Sequence, residues 1–86
     1  MPELSRFYGI VIRMFHKEHQ PAHFHAIYAE HEMLVAIETL DVIEGSLPPR
    51  ALGMVMEWAS LHREELKSAW KRAEDLKSIG KIAPLP

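Results

Sequence analysis

Hydrophobic and polar positions alternate along the first half of the chain. In residues 7–15, FYGIVIRMF, β-branched and aromatic side chains alternate between two faces, which is typical of a strand. The alternation returns in residues 23–29, HFHAIYA, after a loop that contains Gln20 and Pro21. Short polar turns then separate MLVAIE and VIEG. The pattern predicts an antiparallel meander of three or four strands between residues 7 and 44.

From Pro48 onwards the apolar positions recur at the spacing of an α-helix. Pro49 suits the first helical position, where a missing N–H costs nothing, and Gly80 suits a C-terminal stop. We expect one long C-terminal helix over about residues 49–77, packed against the meander in an α+β fold. Residues 1–80 would form a single domain, and residues 81–86 would be a tail.

A helix of that length would be longer than the sheet that covers it. At 1.5 Å per residue, about 28 residues span roughly 42 Å, whereas strands of six residues span roughly 20 Å. Unless the helix kinks, its distal apolar residues need a second chain to bury them. The length difference therefore predicts a partner interface at Leu66, Trp70 and Ala73, in a homo-oligomer or with another small protein.

Composition limits the classes of protein that fit this pattern. A chain of 86 residues with 48% hydrophobic and 26% charged residues suits one soluble globular domain. Without a membrane-length apolar run or an N-terminal leader pattern, we expect a cytoplasmic protein that does not enter a membrane. The absence of cysteine excludes disulfides and thiolate metal sites.

Charge is distributed unevenly along the chain. The net charge is −2, and residues 32–47 hold four acidic residues with no lysine or arginine. Because no segment is strongly basic, tight nucleic-acid binding by phosphate neutralisation is disfavoured.

Five of the six histidines lie in residues 16–31, HKEHQPAHFHAIYAEH. His23 and His25 are two positions apart on a predicted strand, so their side chains should share a face, as two ligands of one metal ion would. His16 or His19 could fold back as a third ligand, whereas His31 would lie about 20 Å from His25 along a straight strand. The default interpretation is a polar, cofactor-free surface, and a divalent metal such as zinc is the alternative.

The same face also suggests acid–base chemistry. Histidine titrates near neutrality and arginine binds phosphate, so His23, His25 and Arg13 are candidate catalytic residues for cleaving RNA or another phosphate ester. This hypothesis requires a strand register that places Arg13 beside the histidines, and a solvated sheet face is the alternative.

Three segments together carry a resemblance to a known family. MPELSRFYGIVIRMF, HQPAHFHAIYAEHE and LPPRALGMVMEWASLHREELKSAW resemble the small bacterial family called domain of unknown function 4160, over roughly residues 1–75. Because the family has no established activity, the resemblance does not imply one for this chain. Family members are similar to components of compact toxin–antitoxin-like gene pairs, which implies a protein partner encoded nearby.

Three functions therefore stay open at the level of sequence. We favour a cytoplasmic protein-interaction module that pairs with itself or with a neighbour-encoded protein. The alternatives are a small phosphate-ester-cleaving enzyme that uses the histidine face and a metal-binding protein that uses the H-x-H pair.

Overall fold

One antiparallel sheet and two helices make up the fold in the computed structural model, which describes residues 3–86. The strands are β1 (Glu3–Phe7), β2 (Ile10–Arg13), β3 (His23–Tyr28), β4 (His31–Ala36) and β5 (Val42–Gly45), and they lie in that order across the sheet. The helices are α1 (Pro49–Leu61) and α2 (Arg63–Glu74). The α+β class and the antiparallel meander are confirmed, with five strands and two helices in place of the predicted three or four strands and one helix.

The predicted first strand, residues 7–15, contains the turn and the second strand of a hairpin. Tyr8 and Gly9 have φ of 49° and 82° and form a two-residue turn, so that Phe7 pairs with Ile10. Positive φ at both turn positions matches the twist of a tight hairpin, and glycine adopts it without steric cost. The chain before Tyr8 therefore becomes an additional edge strand.

The core lies between one face of the sheet and the two helices. Trp58 of α1 is completely buried, and its ring centroid lies 5.5 Å from that of Phe7 and 5.9 Å from that of Phe24. The sheet residues that pack on this side are apolar and buried: Leu4, Phe7, Ile10, Ile12, Met14, Phe24, Ala26, Met33 and Val35. Burial of this face fixes the strand register, since a slip of one residue would turn it towards solvent.

The helical half of the chain breaks at His62, which has φ −122° and ψ 25°. Two local interactions favour the break. Ser60 donates its hydroxyl to the carbonyl of Glu57, a bond that bends helices, and Nδ1 of His62 lies 2.5 Å from a carboxylate oxygen of Glu65 in the first turn of α2. The chain thus changes direction without proline or glycine at the bend.

This break removes the reason to expect a partner interface in the distal half of the helix. Leu66, Trp70 and Ala73 are all buried within the chain itself. A straight helix of about 42 Å would have exceeded the longest dimension of the molecule, which is 33 Å. The length argument for a partner interface at these three residues therefore does not hold, because α2 returns to the core that the sheet and α1 provide.

The segment after α2, residues 77–86, packs along the core, although residues 81–86 were expected to form a tail. Ile79, Ile82 and Leu85 are buried. The N–H of Ile82 donates to the carbonyl of Leu4 at 2.8 Å, so this C-terminal segment contacts the outer edge of β1. Nε1 of Trp58 donates to the carbonyl of Ala83, also at 2.8 Å, which ties the segment to the centre of the core.

Neither α1 nor α2 combines the length and apolarity that crossing a lipid bilayer requires.

Candidate metal centre

Glu18, His23 and His25 form a cluster where the loop between β2 and β3 meets the beginning of β3. The two histidines are separated by one residue on the strand, so their side chains project in the same direction. The loop, which includes a cis peptide bond between Gln20 and Pro21, brings the Glu18 carboxylate against them. Among residues 3–86, no other group of three histidine, cysteine or acidic side chains converges in this way.

One carboxylate oxygen of Glu18 faces an Nε2 atom of each histidine. It lies 2.5 Å from Nε2 of His25 and 3.6 Å from Nε2 of His23, and the three potential ligand atoms all lie within 4.8 Å of one another. Ligands on a tetrahedral zinc ion with bonds of about 2 Å are separated by about 3.3 Å. The cluster therefore needs only a small separation of His25 and Glu18 to hold such an ion.

The hydrogen-bond geometry of His25 places both of its ring nitrogens against carboxylates. Its Nδ1 lies 2.8 Å from a carboxylate oxygen of Glu32, while its Nε2 faces Glu18. Since a neutral imidazole has a single N–H, it can donate to only one of two carboxylates. A protonated ring would donate to both carboxylates, whereas a neutral ring leaves one ring nitrogen free to bind a cation.

His23 presents a second ring nitrogen to the same carboxylate oxygen. Its Nδ1 lies 2.8 Å from the carbonyl oxygen of Pro21, which only accepts, so Nδ1 carries the proton and Nε2 directs its lone pair towards Glu18. Adding a proton to Nε2 would place a charge on a side chain that is only 7% exposed, at a cost in desolvation free energy. One divalent ion would satisfy both Nε2 atoms and the carboxylate together.

The electrostatics of the cluster keep Glu18 in the form that binds cations. Burial acts to raise the pKa of Glu18, but hydrogen bonding and charge from His25, followed by those from His23, outweigh burial and lower the pKa below its ordinary value of 4.5. The carboxylate is therefore ionised at neutral pH, as a metal ligand must be.

Aromatic side chains hold the two imidazole rings in place. Phe15 meets His25 edge to face, with centroids 4.7 Å apart and an interplanar angle of 89°, and Trp70 lies 5.4 Å from His23. A small cavity of about 20 Å³ borders Glu18, Phe15 and Trp70, which is room for one water molecule. Both rings are thus packed against aromatic side chains, and the cavity borders the carboxylate but neither histidine.

A larger cavity lies elsewhere. It measures about 600 Å³ and is lined by residues that include Tyr8, Tyr28, Arg50 and Glu57, none of which belongs to the cluster. Among residues 3–86, the group of three potential metal ligands lies at the cluster and not in this cavity, so the chemistry of the cluster decides the location of the candidate site.

The structure brings together some of the residues that the sequence suggested and separates others. Arg13 pairs with His25 in the strand register, which meets the condition for a shared face, but its buried Nε makes no hydrogen bond with the described residues. His16 contacts the carbonyl of Lys77, His19 is exposed, and His31 lies 3.7 Å from Glu30 in the next turn. These three histidines therefore lie outside the cluster.

Glu18 is the member of the cluster that sequence analysis missed. The loop origin of the third ligand was expected, but the candidates there were His16 and His19. The available signal was a carboxylate five and seven residues before the two histidines, E-x4-H-x-H. Such a spacing identifies a shared site only when the loop conformation is known.

The fold and the cluster define a small α+β protein with an antiparallel meander, two helices, and a two-histidine, one-carboxylate site at the start of a strand. A family model described as "Domain of unknown function (DUF4160)" matches residues 9–71, which contain all three cluster residues. The chain belongs to this family. Comparisons with curated proteins and with solved structures gave no match.

Proposed function

We propose that the chain binds one divalent metal ion, with zinc as the first candidate, through Nε2 of His23, Nε2 of His25 and the carboxylate of Glu18. The observation that carries this proposal is the position of two imidazole nitrogens against a single carboxylate oxygen, at 2.5 and 3.6 Å. When the rings are neutral, a divalent ion would supply the positive charge that protonated histidines otherwise place beside Glu18.

The groups around the ligands support the proposal. Metal-bound histidines usually donate their other ring N–H to a carboxylate or a backbone carbonyl. Nδ1 of His25 lies 2.8 Å from Glu32 and Nδ1 of His23 lies 2.8 Å from the carbonyl of Pro21. Both rings thus have the orientation that directs Nε2 towards an ion.

The ligand types favour zinc. Two imidazoles and one carboxylate match the three protein ligands of open zinc sites, in which a solvent molecule takes the fourth position. Other first-row ions such as copper and nickel also prefer imidazole, so affinity alone does not separate them and competition has to be measured.

The geometry favours metal binding over acid–base catalysis by the same histidines. A general acid or base needs a nitrogen that can reach a substrate. Both nitrogens of His25 face carboxylates, and Nδ1 of His23 faces a carbonyl oxygen. A substrate would therefore have to displace Glu18 before either ring could exchange a proton with it.

Calorimetric titration of metal-free, untagged protein with zinc tests the proposal. We expect one ion per chain, and we expect His23→Ala, His25→Ala and Glu18→Gln each to abolish this binding. His31→Ala is the matched control, because His31 belongs to the same histidine-rich stretch but lies outside the cluster.

Two results would contradict metal binding at this site. Stoichiometric binding that persists in His25→Ala and Glu18→Gln would place the ion elsewhere. No binding by the wild-type protein would leave an additional proton as the cation between His25 and Glu18, which a neutron structure or the ring-nitrogen NMR shifts of His25 would identify.

A further inference from the structure

The fold protects one edge of the sheet and leaves the other open. At β1 the C-terminal segment covers the edge, and Ile82 donates its N–H to the carbonyl of Leu4. β5 forms the opposite edge, and in residues 3–86 no strand or segment pairs with its outer side. Unpaired N–H and C=O groups along an edge form a template for another strand.

β5 also exposes apolar side chains. All four of its residues are exposed, and Val42 and Ile43 are 43% and 44% accessible. Val42 pairs with Val35 and Glu44 pairs with Leu34, so Ile43 is the additional residue of a bulge in this strand. Val42–Gly45 contains neither the lysine nor the proline that commonly guards an edge strand, and the bulge and Glu44 restrict which strands can pair with it.

The surroundings of β5 are acidic. Asp41 precedes the strand and Glu44 lies within it, and neither forms an ion pair with any residue from 3 to 86. Glu38 is 81% exposed and lies 3.7 Å from Lys67, a distance at which an exposed pair contributes little. A strand that docks on this edge therefore meets apolar contacts flanked by uncompensated negative charge.

We propose that β5 is the docking edge for an extended, basic segment of a partner protein, which would join the sheet as a sixth strand. Backbone hydrogen bonds along the edge would provide affinity, Val42 and Ile43 would contact apolar side chains of the partner, and lysine or arginine would pair with Asp41 and Glu44. The site is separate from the metal cluster, because β4 lies between β5 and the strand that carries the histidines.

A second copy of this chain is a poorer occupant of the edge. Antiparallel pairing of two β5 strands would bring Asp41 and Glu44 of one copy near the same acids of the other. Like charges opposite each other on adjacent strands are destabilising. The charge of the edge thus selects a partner of opposite sign.

The experiment adds three synthetic peptides, one at a time, to the full chain. Binding is monitored through the NMR signals and the hydrogen exchange of the chain's backbone amides. The first probe is an eight-residue peptide of alternating lysine and valine, and the second replaces lysine with glutamate. The third is the lysine peptide with a central proline, which keeps most of the charge but interrupts strand pairing. We expect the first peptide alone to shift the amides of residues 42–45 and to slow exchange of those that face outwards.

Variants separate edge docking from general attraction to an acidic surface. Glu44→Lys should weaken binding of the lysine peptide by about fivefold or more, and Glu64→Lys, the same charge change on an 87% exposed side chain of α2, should change it by less than roughly twofold. The proposal is overturned if the two charged peptides bind equally, if neither binds at millimolar concentration, or if the shifts map outside β5. A concentration-dependent dimer that Ile43→Lys abolishes would equally overturn it, in favour of a second copy.

Discussion

At the scale of single residues, the His25 ring is held by contacts on several sides. It lies between Glu18 and Glu32 and against the edge of Phe15, with a side chain that is only 12% exposed. These contacts hold the ring without any metal. The ligand atoms are therefore preorganised, which reduces the entropy lost on binding an ion.

The lowered pKa of Glu18 makes the stability of the metal-free protein depend on pH. A carboxyl group whose pKa is lower in the folded state stabilises that state above its unfolded pKa, and this contribution disappears as the pH falls through the folded pKa. The ordinary value is 4.5, so the loss should occur below it. We expect Glu18→Gln to reduce the free energy of unfolding by about 1 kcal/mol or more near pH 5.5, and by much less near pH 3.

Urea unfolding of both proteins at the two pH values provides the measurement. Glu30→Gln is the control, since its side chain is 83% exposed, and it should have little effect at either pH. A difference between wild type and Glu18→Gln that does not diminish at low pH would show that the carboxylate does not act through its charge.

The period of a strand was enough to predict part of this site. Alternation places His23 and His25 on one side of their strand whatever the rest of the fold is. The register, which the sequence left open, places Arg13 opposite His25. The position of Glu18 depends on a nine-residue connection between β2 and β3, whose path no periodicity specifies. The strand half of the site could therefore be predicted, and the loop half could not.

At the scale of elements, the break at His62 decides how the second half of the chain is buried. It divides one amphipathic pattern into two helices that both pack on the sheet. The apolar spacing continues through the break, because residues on each side of it face the same core. Such continuity explains why the sequence predicted a single helix.

The burial of α2 changes the expected effect of mutations there from association to stability. Leu66 is completely buried and Leu61, in the last turn of α1, is 63% exposed, so the two leucines form a matched pair. We expect Leu66→Ala to reduce the free energy of unfolding by about 2–5 kcal/mol, and Leu61→Ala to change it by no more than about 0.5 kcal/mol.

Denaturant unfolding combined with size-exclusion chromatography measures both properties. The apparent mass should be the same for the wild type and the two variants as long as they are folded. If Leu66→Ala lowered the mass but left the unfolding midpoint unchanged, Leu66 would belong to an interface between chains after all.

At the scale of the whole molecule, the C-terminal segment joins elements that are distant in sequence. It contacts β1 through Ile82, α1 through the bond from Trp58 to Ala83, and α2 through the bond from Arg72 to the carbonyl of Ile79. Its buried residues, Ile79, Ile82 and Leu85, follow neither the strand nor the helix period. A pattern search therefore classifies it as a tail, although tertiary contacts order it.

Removal of residues 81–86 should destabilise the protein by about 3 kcal/mol or more, since Ile82 and Leu85 lose their burial and Trp58 loses its hydrogen-bond acceptor. Thermal and urea unfolding measure the loss. Leu85→Ala should reproduce part of it, whereas Lys81→Ala, at an exposed position of the same segment, should not. A truncated protein with an unchanged midpoint would mean that the segment does not stabilise the core.

The hydrogen bond between Ile82 and Leu4 also limits the order in which the parts of the fold can form. Each hairpin of the meander pairs strands that are neighbours in sequence, so it can form while the chain is still being synthesised. The contact between residues 4 and 82 joins positions that are far apart in sequence and has to wait for residue 82. Until then β1 has an open edge that can pair with another nascent chain, so each new molecule is vulnerable to misassembly until that contact forms.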